Sequence, residues 1–183
     1  NVGPSMSLPA APHIESYLAR PGTGQYLHIT ALEASQLAAE ANSTETRLKV
    51  KLLWHLGCRV SELISIRVED IDFERAVLKL RRLKRRKEFI QDVPLPPELA
   101  GELRLFARGW ERRGRLFKGD RTSMFSLVQR LGLKALGRRI SPKHFRHGKA
   151  YHMVKVKGVH PAIAARALGH ASLGSILSYV HPT

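Results

Sequence analysis

Four short segments of the sequence carry side chains that can act on a phosphodiester. They are 57–63 with Arg59, 81–87 with Lys84 and Lys87, 141–147 with Lys143 and Arg146, and 168–179 with His170 and Tyr179. Tyr179 lies nine positions after His170. Each segment alone is a weak signal. Two arginines, a lysine, a histidine and a tyrosine in this order form a specific set.

This set suits nucleophilic attack on phosphorus, during which negative charge grows on the non-bridging oxygens. Arginine offers paired donors to those oxygens and stays charged at any working pH, and a histidine adds another donor. Loss of one preorganised donor typically costs about 10²–10³-fold in rate. A tyrosine hydroxyl needs positive neighbours or a base before it attacks, and a lysine can protonate the departing oxygen. Because the arginines supply the charge, we expect no metal and no cofactor.

The charge of the chain indicates a polyanionic partner. Its 183 residues include 31 lysines and arginines and 15 aspartates and glutamates, which gives a net charge of +16. A membrane surface would favour one basic amphipathic helix or a polybasic tail. Here the basic residues are spread over several segments, so double-stranded DNA is the favoured partner.

Cysteine and histidine usage argues against disulfide and zinc sites. A single cysteine, Cys58, excludes an internal disulfide and favours a reducing, cytoplasmic location, nucleoid-associated if the source is bacterial. We expect Cys58 to be a buried small hydrophobe. The nine histidines lack the spacing of a zinc motif. No apolar run reaches the roughly 18–20 residues that cross a bilayer.

Hydrophobic patterning predicts a mostly α fold with one small antiparallel β-sheet, an α+β class. Residues 1–27 are expected to be a leader or linker, and 28–183 one domain. The strands are predicted at 76–80 and 89–93, with the basic run 81–87 at the hairpin tip. Residues predicted for the core are Leu48, Leu52, Leu53, Ile163 and Leu168.

Capping residues place the predicted helices. A capping box at Thr30 begins the first, and Gly57 ends the second, which carries Leu48 to Leu56. Ser61 is expected to cap a short third helix, and Pro97 to start one that runs to about residue 108. Later helices are predicted over 123–136, from Ser141-Pro142 to about residue 156, over 161–169, and from Ser172 through Tyr179.

With these segments in place, the chain resembles the catalytic domain of the tyrosine recombinases, the phage integrase family, over about residues 28–183. The resemblance implies that Arg59, Arg146 and His170 hold the scissile phosphate, with Glu62 supporting Arg59. It implies Lys84 as general acid and Tyr179 as the nucleophile that forms a 3′-phosphotyrosyl link, without ATP. It further implies about four protomers on two DNA duplexes.

The sequence departs from the family pattern at three places. Lys143 stands where the family usually has a histidine, three residues before Arg146. A lysine can contact the phosphate but is a poor proton acceptor at neutral pH, so the acceptor for the Tyr179 proton stays open. The hairpin is about two residues longer than in common members, which leaves Lys84 and Lys87 as alternatives. Four residues follow Tyr179, whereas many members have a longer tail and a preceding DNA-clamping domain.

The leading hypothesis is a site-specific DNA recombinase of a mobile element. One alternative is a type IB topoisomerase-like or relaxase-like enzyme, which the lysine at position 143 favours slightly. Another is an inactive DNA-binding accessory protein, against which the intact catalytic set argues. Catalytic candidates are Arg59, Lys84, Lys143, Arg146, His170 and Tyr179. Further DNA contacts are expected from Arg81, Arg82, Arg85, Arg86, Lys87, Arg139 and His147.

Overall fold

The computed structural model describes residues 28–84, 86–108 and 114–169. Within them lie the helices α1 Ala31–Glu40, α2 Thr44–Leu56, α3 Val60–Ile64, α4 Pro97–Ala107, α5 Arg121–Leu136, α6 Pro142–Tyr151 and α7 Pro161–Ala167. The strands are β1 Ile71–Asp72, β2 Val77–Lys84 and β3 Lys87–Pro94. A 3₁₀ turn at Val68–Asp70 and a π-helical turn at His152–Val156 complete the elements. The predicted fold class is confirmed.

Local capping signals set the first helices as predicted. The Thr30 hydroxyl accepts a hydrogen bond from the Glu33 amide at 3.1 Å, and the Glu33 carboxylate accepts one from the Thr30 amide at 3.1 Å. α2 ends at Gly57, whose φ of 53° lies in the left-handed region that glycine tolerates. A Cβ at Gly57 would lie 2.5 Å from Leu168 Cδ2. Glycine at this position therefore also lets the residues after α7 approach closely.

Three helix boundaries differ from the sequence prediction. α3 begins two residues earlier than expected, because Arg59 rather than Ser61 is its N-cap. α5 begins at Arg121 because the Asp120 carboxylate accepts a hydrogen bond from the Ser123 amide at 2.8 Å. The α-helical part of α6 ends at Tyr151, and the chain continues as the π-helical turn.

The sheet is antiparallel, in the order β1-β2-β3. The β2–β3 ladder runs from the Val77–Pro94 pair to the Lys84–Lys87 pair, so only residues 85 and 86 connect the strands. The prediction that all of 81–87 forms the tip is therefore wrong, since 81–84 belong to β2. Side chains alternate between the faces of a strand, and this places Arg82 on the buried face of β2.

The main core fills the space between the helices and the buried face of the sheet. Leu48, Leu52 and Leu53 are fully buried, as predicted. A smaller cluster packs α6 against α7 through Ala150, Ala164, Ala165 and Leu168. Ile163 is 61% exposed, so its assignment to the core is wrong. No helix among the described residues is long and apolar enough to cross a bilayer.

Candidate active site

The N-terminal ends of α3, α5 and α6 converge on a pocket of about 260 Å³. Its lining residues are Cys58, Arg59, Val60, Ser61, Arg121, Phe125, Pro142, Lys143 and Arg146. Two of the segments singled out in the sequence, those around Arg59 and around Lys143 and Arg146, therefore meet in space. We call this cavity the arginine pocket.

Arg146 is buried in the wall of the arginine pocket with one nitrogen unsatisfied. Its Nη1 donates to the carbonyl oxygens of Gly57, at 2.7 Å, and of Leu168, at 2.8 Å. Its Nη2 is buried and has no hydrogen-bond partner among the described residues. Burial, followed by the charge of Arg59, lowers the pKa of Arg146 to about 10. Because Arg146 lines the pocket, an anion bound there would offset the cost of burying its charge.

A buried carboxylate, Glu62, orients Arg59. Glu62 accepts hydrogen bonds from the Arg59 amide at 2.8 Å and from the Leu83 amide at 2.9 Å. The Arg59 guanidinium lies 3.5 Å from Glu62 and donates to the Leu83 carbonyl at 2.9 Å. The expected pairing of Arg59 with Glu62 is confirmed. Glu62 thus joins α3 to β2 and holds Arg59 at the pocket.

Arg82 lies in the interior, with a side chain that is 0% exposed. Its guanidinium donates to Gln91 at 2.9 Å, to Glu62 at 3.4 Å, and to the carbonyls of Leu56 at 3.2 Å and Ala167 at 2.7 Å. The prediction that Arg82 contacts DNA is therefore wrong for this structure, because its guanidinium is engaged by protein groups. Three guanidinium groups, those of Arg59, Arg82 and Arg146, therefore interact with the carboxylate of Glu62.

The first turn of α6 separates the roles of two neighbouring basic residues. Lys143 is exposed and lines the arginine pocket together with Arg146, three positions later. The His144 ring accepts a hydrogen bond from the Ser141 amide at 3.0 Å, which caps the helix. Lys143, and not His144, therefore occupies the pocket side of this turn.

The other sequence-predicted residues lie at varied positions. Arg81, Arg86 and Lys87 are exposed on the β2–β3 hairpin, and Arg139 is exposed between α5 and α6. His147 is half-buried near His28, and its charge helps burial lower the pKa of His28 to about 4. Lys84 ends β2, and its side chain lies outside the described residues, as do Arg85, His170 and Tyr179. Their assigned roles stay predictions.

Sequence reasoning missed Arg121, the first residue of α5. It lines the arginine pocket, and its guanidinium lies 5.8 Å from the centre of the Phe125 ring. The sequence signal that could have identified Arg121 is Asp120, because aspartate is a favoured N-cap residue. An N-cap at Asp120 places Arg121 in the first turn of the helix. The sequence prediction begins this helix at Ser123 and therefore assigns Arg121 to the preceding loop.

Cys58 forms part of the pocket wall without reactive character. It is 1% exposed, and burial raises the pKa of its thiol to about 12. The prediction of a buried small hydrophobe is confirmed. Among the described residues, no group of three or more histidine, cysteine, aspartate or glutamate side chains is arranged to hold a metal ion.

A larger groove between α1, α2 and α4, of about 470 Å³, offers less cationic character. Two of its basic side chains, Arg47 and Lys51, pair with Glu102 at 3.4 and 2.6 Å. Its charges are therefore largely matched, unlike those around the arginine pocket.

Comparison with solved structures shows the fold. A structure described as XerA recombinase aligns with a TM-score of 0.72 and 24% identity over 85% of this chain and 60% of that chain. XerH site-specific recombinase bound to palindromic difH substrate, in a post-cleavage complex, aligns with a TM-score of 0.70 and 19% identity. That match covers 88% of this chain and 52% of the XerH chain.

Comparison with curated proteins and with family models shows which proteins this chain is related to. Tyrosine recombinase XerA of Pyrococcus horikoshii is 29% identical over 85% of this chain and 56% of that protein. XerA of Pyrococcus furiosus is 33% identical over 75% of this chain and 50% of that protein. The chain thus spans about half the length of these relatives. The phage integrase family model matches residues 28–183, and the chain therefore belongs to the phage integrase family, the tyrosine recombinases.

Proposed function

We propose that this chain is the catalytic domain of a site-specific recombinase that cleaves and rejoins double-stranded DNA through a 3′-phosphotyrosyl link. The observation that carries the proposal is the unsatisfied Nη2 of Arg146, buried beside Arg59 in an open pocket. A buried donor without a partner is unfavourable, and a phosphate oxygen supplies the missing acceptor. The recombinase names of the relatives support this use of the pocket.

In the proposed reaction, the Tyr179 oxygen attacks the scissile phosphorus, and the bond from phosphorus to the 5′ oxygen breaks. Arg59 and Arg146 hold the non-bridging oxygens, where negative charge grows, with His170 as a further donor. The attacking phenol loses a proton, and the departing oxygen gains one. Because one phosphodiester bond replaces another, a free 5′-hydroxyl of a second strand can reverse the step without ATP.

Two lysines at the end of the hairpin are candidates for the general acid. Lys84 and Lys87 are direct partners in the last pair of the β2–β3 ladder, so the same end of the sheet carries both. We assign proton donation to Lys84 and contact with a neighbouring phosphate to Lys87. Lys143 is assigned to the scissile phosphate rather than to the Tyr179 proton, because an ammonium group is a donor at neutral pH.

The surrounding surface is proposed to hold the DNA backbone on both sides of the scissile phosphate. The exposed basic side chains there are Arg81, Arg86, Lys87, Arg121 and Arg139. Each phosphate that these groups neutralise contributes about −0.9 to the slope of the logarithm of the DNA-binding constant against the logarithm of the salt concentration. Strand exchange further requires about four protomers on two duplexes, which the charge of +16 per chain disfavours until DNA is present.

Covalent trapping tests the proposed function and does not require a defined DNA site. The protein is incubated with a library of random-sequence duplexes that carry a nick in one strand, so that a short 3′-side fragment diffuses away after cleavage. We expect adducts that resist detergent for the wild-type protein and for Tyr151→Phe, a matched control whose ring stacks on His28. Tyr179→Phe should give none. Absence of wild-type adducts, or adducts that persist in Tyr179→Phe, would refute the proposal.

A second experiment separates recombination from relaxation. The sequence recovered from the adducts is placed twice in one supercoiled plasmid, in direct or inverted orientation. We expect deletion or inversion between the two copies. Relaxation of a plasmid with one copy, without exchange between two, would instead support the topoisomerase-like alternative.

A further inference from the structure

Arg82 is buried as completely as the core leucines, and the proposed reaction gives it no part. It lies on the inward face of β2, after Leu78 and Leu80 in the strand alternation, and all three side chains are at most 1% exposed. Burial of an arginine is costly unless its donors are satisfied. The identity of its partners therefore indicates what Arg82 does.

The partners of Arg82 come from four separate elements. Glu62 belongs to α3, Gln91 to β3, and the carbonyl of Leu56 to the end of α2. The shortest contact, 2.7 Å, is to the carbonyl of Ala167, the last residue of α7. One side chain of the hairpin thus reaches the end of α7, 85 residues later in the chain.

The end of α7 is fitted to Arg82 by packing as well. Gly169 has a φ of 64°, and a Cβ at this position would lie 2.9 Å from Arg82 Cδ. The carbonyl of Leu168, between Ala167 and Gly169, accepts a hydrogen bond from Arg146. Two successive carbonyls are thus held by two different guanidinium groups, as suits the negative end of a helix.

Both chain segments that meet at Arg82 lead directly to proposed active-site residues. Lys84 is two positions after Arg82 in β2, and His170 follows Gly169 in the sequence. We propose that Arg82 is a positioning residue, which couples the β2–β3 hairpin to the end of α7 and thereby sets Lys84 and His170 relative to the scissile phosphate. This inference rests on the proposed function for the roles of those two residues.

The first test is independent of catalysis. Amide hydrogen exchange is measured in residues 164–169 for wild type, Arg82→Lys and Gly169→Ala, the last of which disturbs the contact from the α7 side. Gly158→Ala is the matched control, because its φ of 68° is similar but no atom lies within 4 Å of the added Cβ. We expect faster exchange in Arg82→Lys and Gly169→Ala, and wild-type exchange for this peptide in Gly158→Ala.

The second test measures cleavage on a duplex recovered by covalent trapping, with either oxygen or sulfur as the bridging 5′ atom. A thiolate leaves without a proton donor, so the sulfur substrate needs no general acid. Misplacement by about 1 Å can cost about 10²-fold in rate. For Arg82→Lys and Gly169→Ala we expect the cleavage rate of the oxygen substrate to fall by about this factor. The cleavage rate of the sulfur substrate should fall less, and the affinity for DNA should equal that of the wild type.

The outcomes separate this inference from the proposed function. Wild-type cleavage by Arg82→Lys and Gly169→Ala on both substrates would overturn the inference, and so would equal losses on oxygen and sulfur. Unchanged exchange in residues 164–169 in both variants would also overturn it. Failure of the wild-type protein to form any adduct would refute the proposed function instead, while the exchange comparison would still report on the coupling at Arg82.

Discussion

Methionine substitutions at Arg146 and Arg82 should have different effects on the free energy of unfolding, although both arginines are buried. Arg146 holds an unsatisfied nitrogen in a positive environment, whereas Arg82 is paired with the Glu62 carboxylate. We expect Arg82→Met to destabilise the protein strongly and Arg146→Met to destabilise it much less. The difference follows from what each substitution leaves behind.

The structure sets the magnitudes. With its pKa lowered to about 10, charged Arg146 carries a penalty of about 3 kcal/mol, at about 1.4 kcal/mol per pKa unit. Arg146→Met removes this penalty but leaves the Gly57 and Leu168 carbonyls without their donor, at about 1–3 kcal/mol each. The net effect of Arg146→Met on the free energy of unfolding therefore lies between a gain of about 1 kcal/mol and a loss of about 3 kcal/mol. Arg82→Met removes the one fully buried cation paired with Glu62 among the described residues, which then keeps only the part-exposed Arg59, and it leaves the Leu56 and Ala167 carbonyls without this donor. Breaking such a buried pair costs about 3–5 kcal/mol.

Urea unfolding followed by circular dichroism, with thermal unfolding in parallel, measures both variants. For a chain of this size each kcal/mol lowers Tm by about 2–4 °C, so Arg82→Met should lose about 6–20 °C. Addition of duplex DNA should raise the Tm of the wild type more than that of Arg146→Met. Equal destabilisation of Arg146→Met and Arg82→Met would contradict this expectation, because it would mean that the Arg146 charge is compensated in the free protein.

Three further predictions concern other buried groups. The Cys58 thiol, with its pKa raised to about 12 by burial, should not react with a disulfide reagent at pH 8 until urea unfolds the protein, when one thiol per chain should appear. The pKa of His28 is lowered to about 4, so the unfolded chain gains a proton below about pH 6.5 before the native state does. The free energy of unfolding should then fall by up to about 3 kcal/mol between about pH 6.5 and 4, and urea titrations of His28→Phe should show a shallower fall. A Cβ at Gly148 would lie 2.1 Å from the Ile29 carbonyl oxygen, whereas one at Gly101 would meet nothing within 4 Å. Gly148→Ala should therefore cost about 1–3 kcal/mol or more, and Gly101→Ala should be neutral or stabilising by up to about 1 kcal/mol; equal urea midpoints for the two variants would contradict this.

Signals within a few residues of one another predicted much of the fold. Three of these signals involve only neighbouring groups, so the local sequence was sufficient to predict them. They are the capping box at Thr30, the glycine after α2 and the Ser141-Pro142 start of α6. The Ser61 cap was wrong because the Glu62 carboxylate caps the Arg59 amide instead. This arrangement depends on Glu62 being buried against β2, which no local pattern reveals.

The burial of Arg82 shows what sequence reasoning lacked at the site. Alternation in β2 predicted an inward face through Leu80, and its continuation would have included position 82. The surrounding run of basic residues favoured an exposed loop instead. Its partners at Leu56 and Ala167 are 26 and 85 positions away, so only the folded chain shows how the charge is accommodated. The meeting of Arg59 with Arg146 was expected from the family resemblance, and the structure confirms that both line one pocket.

A crystal structure of Tyr179→Phe bound to its recovered duplex will show whether the arginine pocket holds a DNA phosphate. We expect a backbone phosphate in the pocket, with one oxygen about 2.7–3.2 Å from Arg146 Nη2 and another contacted by Arg59. DNA bound to a different face, with Nη2 satisfied by a protein group, would contradict it.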